Sequence, residues 1–278
     1  MSEVKISAKD VKRLRDMTGA GMMDCKKALA ETGGDFDAAI EFLRKKGQKL
    51  SAKRADRDAK EGVVLALVSD DNSKGVVVRL SCETDFVSKN DDFVDMTKKI
   101  AEMALTKFPE TKDDLLGMEF GGISLGEKIV EQTGVIGEKI ELADYQRLEA
   151  PMVVSYIHMG NRAGVIVGLS KASDNFMSAG KDVAMQVAAM KPIAVDKDGV
   201  SQDVIQKEIE IGMDVARQEG KPEAMLEKIA TGKLNKFFKE NTLLNQAFVK
   251  NNKQSIAQFL QSIDSELTVT DFKHVKLG

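Results

Sequence analysis

Gly75-Val-Val-Val-Arg-Leu-Ser81 returns as Gly164-Val-Ile-Val-Gly-Leu-Ser170. The copies lie roughly 90 positions apart, so the core reads as duplicated. Each copy reads as a strand. Each copy follows another apolar run, Val63 to Val68 in the first and Val153 to Ile157 in the second. Each is followed by a helical stripe, Met96, Ile100 and Met103 in one and Val183, Val187 and Met190 in the other. A third, alternating stretch closes both: Ile140-Glu-Leu-Ala-Asp144-Tyr145-Gln-Arg-Leu148 and Leu267-Thr-Val-Thr-Asp271-Phe272-Lys-His-Val275. The pattern predicts an α+β core of two similar halves, each a three-stranded antiparallel sheet with helices on one face.

In the second copy about 40 additional residues separate the repeated strand from the closing one, a length that fits an inserted supersecondary unit. They fall between Pro192 and Leu267, where Val204, Ile205, Ile209 and Met213 form a helical stripe. Gly220-Lys-Pro222 then gives a turn, and Met225, Leu226 and Ile229 begin a returning helix. The expectation is a helical hairpin over residues 197–245, packed on itself or on another chain because so thin a projection needs its apolar faces covered.

Ahead of the core, Ser7 and Asp10 read as a capping box, and Val11, Leu14 and Met17 recur at helical spacing until Gly19. A second helix from Met22 to Thr32 stops at Gly33-Gly34, and Asp35 caps a third whose Phe36, Ala39, Ile40 and Leu43 form one stripe ending near Gly47. So small a bundle suits recognition better than a reaction. Residues 44–60 then carry Arg44, Lys45, Lys46, Lys49, Lys53, Arg54, Arg57 and Lys60. Without interleaved aromatics, this reads as a solvated linker or helix extension and not as an RNA contact. The domain reading is 1–55 for the head with its basic linker, 56–150 for the first core half and 151–278 for the second.

Composition narrows the function classes. The 278 residues are 42% hydrophobic and 31% charged, ordinary for a globular chain, with 14 Met and no Trp. A net charge of -3 argues against binding nucleic acid or membrane by bulk electrostatics. Cys25 and Cys82 lack CxxC spacing, and no signal peptide or membrane-length apolar run is found, so the expectation is a reducing cytoplasm. His158 and His274 are the two histidines, and no ligand-spaced cluster points to a metal or cofactor. Phosphate loops, dinucleotide fingerprints and nucleophile elbows are absent from the sequence, so enzymatic chemistry is not expected.

Three places stand out instead. Met22 and Met23 are adjacent in a helix, so they point about 100° apart and cannot both face one core. Exposed, they would suit an adaptable protein contact, and the spacing leaves open whether Met22 fills a gap in the core. Between strand and helix, the first copy carries Cys82-Glu-Thr-Asp85-Phe86-Val87-Ser88-Lys89-Asn90 where the second has Lys171-Ala-Ser-Asp-Asn. Phe86 there is either a wedge for a partner's groove or a core residue folded under the next helix, with Asp85 or Ser88 capping that helix. His158, before the Met159-Gly160-Asn161-Arg162 turn, has no nucleophile near it in sequence.

Residues 18–27, Thr84-Asp-Phe-Val87, Ile136-Gly-Glu-Lys-Ile140, Ser155-Tyr-Ile-His158 and Met185-Gln-Val-Ala-Ala189 together resemble the bacterial translation elongation factor Ts family, in that family's order. The resemblance runs from about residue 4 to the end and matches the family's layout of a ubiquitin-associated-like three-helix head, a duplicated core and an inserted hairpin. It implies guanine-nucleotide exchange on elongation factor Tu, engaged in its GDP-bound and nucleotide-free forms, without covalent chemistry, a cofactor, or direct contact with nucleic acid or membrane. Arg15, Met22, Met23 and Lys26 then fall where the family's head meets its partner. Thr84, Asp85, Phe86 and Val87 form the intruding loop that dislocates the magnesium ion, and Ile136 and His158 occupy contact positions on the core. Whether such a protein acts alone, as a homodimer or in a dimer of heterodimers is left open.

Two departures accompany the resemblance. Leu142-Ala-Asp-Tyr-Gln-Arg147 replaces paired arginines that some members carry, and the sequence reaches Gly278 just after its last strand, without the helical tail of some members. The rival readings are a ubiquitin-associated-like adaptor with a dimerising core and, more remotely, a thiol enzyme using Cys82 with His158.

Overall fold

Both copies of the repeated segment become the middle strand of a three-stranded sheet. In this computed structural model, which describes residues 6–278, the first sheet has the order β1 (Glu61–Val68), β2 (Lys74–Cys82), β3 (Glu141–Glu149). In the second copy β4 (Met152–His158) and β5 (Ala163–Leu169) are followed by a two-stranded ribbon, β6 (Ala247–Phe248) with β7 (Asn251–Ser255), before β8 (Val269–Lys276) completes the order β4-β5-β8. β4 and β5 are antiparallel, from Met152 opposite Leu169 to His158 opposite Ala163. Every residue of β5 is buried, the environment its unbroken aliphatic run requires.

The copies diverge where packing demands it. A Cβ on Gly168 would lie 2.6 Å from Thr270 Oγ1 and 2.8 Å from Leu148 Cδ2, so only glycine fits beneath those side chains. The matching residue in the first copy is Arg79, whose guanidinium lies 2.7 Å from Asp144 and donates to the Lys276 carbonyl at 3.0 Å.

The chain divides into two compact units. One comprises the described residues up to Val64, Val78–Tyr145 and Lys276–Gly278; the other comprises Leu65–Val77 and Gln146–Val275. The first unit begins with α1 (Ala8–Thr18), α2 (Met22–Glu31) and α3 (Phe36–Arg54). Ser7 and Asp10 close the expected capping box, Gly19 ends α1 in the left-handed region at φ 71, and Asp35 caps α3. Leu14, Cys25, Ala28, Leu29 and Ala39 form the buried centre of these helices, with Phe36, Ile40 and Leu43 packed against it.

Gly47 does not end the third helix; α3 continues to Arg54, so much of the basic stretch is helix and not linker. Gly47 sits where α3 crosses the helix Leu125–Ile136, and a Cβ on Gly134 would lie only 2.7 Å from its Cα. A glycine at a close backbone approach resembles a helix stop in sequence, and tertiary contact decides between them. The unit continues with α4 (Asp85–Ser88), α5 (Asp91–Lys107), α6 (Lys112–Gly117) and α7 (Leu125–Ile136), the last two opened by capping boxes at Thr111/Asp114 and Ser124/Glu127.

In the second unit α8 (Met177–Met190) lies on the sheet so closely that a Cβ on Gly180 would be 2.5 Å from Val154 Cγ2. Val154, Val165, Val167 and Leu169 pack there with Val183 and Val187. The inserted hairpin is α9 (Gln202–Gln218) and α10 (Glu223–Asn241), followed by α11 (Ile256–Gln261). It packs on itself through Gly212, Ala216, Leu226 and Ala230, leaving Ile211, Val215 and Met225 exposed. Among the described residues no helix is long and apolar enough to cross a membrane.

Candidate functional site

β2 ends at Cys82, and the chain must turn before α5, whose N-terminus is capped by Asn90 accepting from the Asp92 N–H at 2.8 Å. Thr84 is extended, and Asp85–Ser88 make the single turn α4, closed by the Ser88 hydroxyl donating to the Asp85 carbonyl at 3.1 Å. Phe86, the second residue of this turn, is 84% exposed. It therefore does not fold under α5; Phe93 fills that place at 3% exposure. Nor do Asp85 or Ser88 cap α5, a task taken by Asn90.

The base of this tip is held by carboxylates. Glu138 accepts from the N–H groups of Glu83 and Thr84 at 3.2 and 3.0 Å and from the Thr84 hydroxyl at 2.7 Å. Glu83 in turn accepts from the Lys139 N–H at 2.7 Å, from Arg54 at 2.5 Å and from Arg57 at 3.1 Å. Lys139 donates to the carbonyls of Ala55, the C-cap of α3, and of Arg57 just beyond it. Burial by itself would raise the Glu83 carboxyl, but the Lys139 N–H and the two arginines outweigh it and hold the group at about 2. The Cys82 thiol is pushed up to about 12, first by burial and then by the negative charges of Glu138 and Glu61. At the tip, Lys89 lies 2.6 Å from Asp85, and its hydrogen bond and charge keep that carboxyl below the usual range, so Asp85 presents an anionic acceptor.

Phe86 and Val87 line one open groove of about 810 Å³ with Met17, Gly19, Met96 and Ile136. The structure thus brings the tip, Ile136 and the end of α1 together. Arg15, Met22, Met23 and Lys26 all lie on exposed positions of α1 and α2. Cys25, Ala28 and Leu29 turn α2 inward, which leaves Met22 43% and Met23 74% exposed and resolves what spacing alone left open. His158 belongs to the second unit and not to this groove. It is half-buried at the end of β4, its Nδ1 3.0 Å from the Tyr156 hydroxyl.

Much of the basic stretch is satisfied inside the chain. Lys45 pairs with Glu41, Lys46 with Asp24, and Arg54 and Arg57 with Glu83. Among the described residues no three His, Cys, Asp or Glu converge as they would on a metal ion. What the arrangement offers is mechanical: an apolar ring and an acid on a braced turn, beside a groove. Glu83, Glu138, Arg54 and Lys139 brace the tip through bonds that no sequence pattern marks, although Glu138 and Lys139 fall within Ile136-Gly-Glu-Lys-Ile140.

A family profile described as Elongation factor TS matches residues 83–278. The chain is 57% identical over 274 residues to an elongation factor Ts of Christiangramia forsetii, covering 99% of each chain. It is 52% identical over 273 residues to one of Flavobacterium psychrophilum, covering 98% of this chain and 99% of the relative. A third, from Porphyromonas gingivalis, is 43% identical over 274 residues, covering 98% of each.

Proposed function

The chain belongs to the elongation factor Ts family, and from that premise we propose that it binds elongation factor Tu carrying GDP and hastens GDP release, so that GTP can enter. No bond is made or broken in this reading. The protein accelerates exchange by binding the nucleotide-free partner more tightly than the GDP form, and by linkage it weakens GDP by the free energy with which GDP weakens it. Residues 1–55 would act as the partner-binding head, 56–150 as the core half that carries the tip, and 151–278 as the half that bears the hairpin. The setting is the cytoplasm, where translation elongation runs.

The observation that carries the proposal is an 84% exposed phenylalanine on a turn whose base is hydrogen-bonded on both sides. A large apolar ring held in water this firmly gains most when it enters another surface. In the proposed action Phe86 pushes between elements of the partner near its magnesium ion. Asp85 supplies an acceptor that re-pairs groups freed there, and Thr84 and Val87 frame the intrusion. Arg15, Met22, Met23 and Lys26 grip the nucleotide-binding domain, while Ile136 and His158 add contacts from the core.

The test is release of a fluorescent GDP from elongation factor Tu, with wild type compared against Phe86→Ala. Burying a phenylalanine is worth about 1.5–3 kcal/mol. If that energy is realised only as the pocket opens, Phe86→Ala slows release about 10- to 100-fold. An exposed ring contributes little to folding, so stability should change by no more than about 0.5 kcal/mol. A wild-type protein that leaves GDP bound, or a Phe86→Ala variant as fast as wild type, would overturn the proposal.

A further inference from the structure

Glu138 holds the tip without being part of it. Its Oε2 accepts both backbone N–H groups at the foot of the turn, and its Oε1 accepts the Thr84 hydroxyl. Glu83 reaches back to the Lys139 N–H, so residues 83–84 and 138–139 exchange carboxylates reciprocally. Above Thr84 the tip has short-range bonds, Ser88 to the Asp85 carbonyl and Lys89 to the Asp85 carboxylate. The direction in which Phe86 leaves the sheet is therefore set at Thr84, two residues before it, and Thr84 is set by Glu138.

We infer that Glu138 is a positioning residue for nucleotide exchange, one that aims Phe86 before the partner is met. The inference rests on the exchange reading above and deepens it. Fixing the backbone of a residue costs conformational entropy, and a tip braced during folding does not incur that cost on encounter. One side chain accepting three hydrogen bonds fixes two successive residues, which suits a brace that must resist the reaction force of an inserted ring.

The experiment uses full-length variants and stopped-flow release of fluorescent GDP from elongation factor Tu over a range of factor concentrations. Glu138→Ala should lower the maximal rate about tenfold, the equivalent of re-ordering one residue, and change the half-saturating concentration less than about threefold. Glu138→Gln should recover most of the rate, because its Oε1 can accept both N–H groups and its Nε2 can donate to the Thr84 oxygen. Adding Glu138→Ala to Phe86→Ala should slow release little further, since the group being aimed is gone.

Equal rates for wild type and Glu138→Ala overturn the inference. So do equal losses in Glu138→Ala and Glu138→Gln, or fully additive effects with Phe86→Ala. Should Glu138→Ala fold poorly, Glu138→Asp withdraws the carboxylate by one methylene and is expected to show the same loss of maximal rate. A wild type without exchange activity removes the exchange reading itself, an outcome distinct from an active wild type matched by Glu138→Ala.

Discussion

Replacing Gly134 by alanine adds one methyl group where α3 and α7 cross. Its Cβ would lie 2.7 Å from the Cα of Gly47, against about 3.5–4.0 Å for an ordinary carbon–carbon contact. The Cβ is fixed by its own backbone and the Gly47 Cα is backbone, so no rotation relieves the contact and the helices must part by about 1 Å. Overpacking of this kind costs about 1–3 kcal/mol, offset in part by the roughly 0.5–1 kcal/mol that alanine gains over glycine inside a helix. The net expectation is a loss of about 0.5–2 kcal/mol.

Gly232 supplies the control. It lies within α10, with nothing within 4 Å of its would-be Cβ, so Gly232→Ala should stabilise by up to about 1 kcal/mol. Urea unfolding of both variants, with amide exchange followed on α3 and α7, reads the two signs. Parting the crossing also shifts the head relative to the tip within the first unit, so Gly134→Ala should raise the factor concentration needed for half-maximal exchange. If Gly134→Ala proves as stable as wild type and exchanges normally, the reasoning from the close crossing is wrong.

Three further predictions concern single groups. Glu83 titrates at about 2 in the folded protein against an ordinary 4.5, so its contribution to stability is complete above 4.5 and is lost as pH falls towards 2; Glu83→Gln should flatten that acid limb of the urea midpoint, and an unchanged limb would count against the brace. Cys25 and Cys82 are both buried, with the Cys82 thiol pushed up to about 12, so a thiol reagent at neutral pH should modify both only after denaturation; rapid labelling of the native protein would contradict this. Met23 is 74% exposed, so Met23→Asp should leave stability within about 0.5 kcal/mol while weakening the partner complex; unchanged affinity would remove α2 from the contact.

The duplicated core was legible because strands buried on both faces leave little choice of residue, which is why two separated heptapeptides still match. The position of the tip was legible as the place where the copies differ. Its direction was not: Phe86 and Phe93 are equally apolar, and only the packed helix shows which one fills the core. Gly47 misled because a glycine at a helix crossing looks like a glycine at a helix end until Gly134 is seen opposite. The β6–β7 ribbon escaped notice since Asn251–Ser255 is polar throughout and carries no alternation. Glu138 escaped for a different reason. Its partners are backbone groups and one hydroxyl, and no side-chain pattern records a bond to a backbone N–H.

Thr84 and Glu138 stand 54 positions apart, and Arg54 lies 29 before the Glu83 it binds. Closing such spans carries a loop entropy that short-range structure does not. On a growing chain, residues 84–87 leave the ribosome well before the segment that secures them. The brace on Phe86 is complete only once Glu138, just past the end of α7, has been added, so a chain interrupted before residue 138 lacks the carboxylate that fixes Thr84.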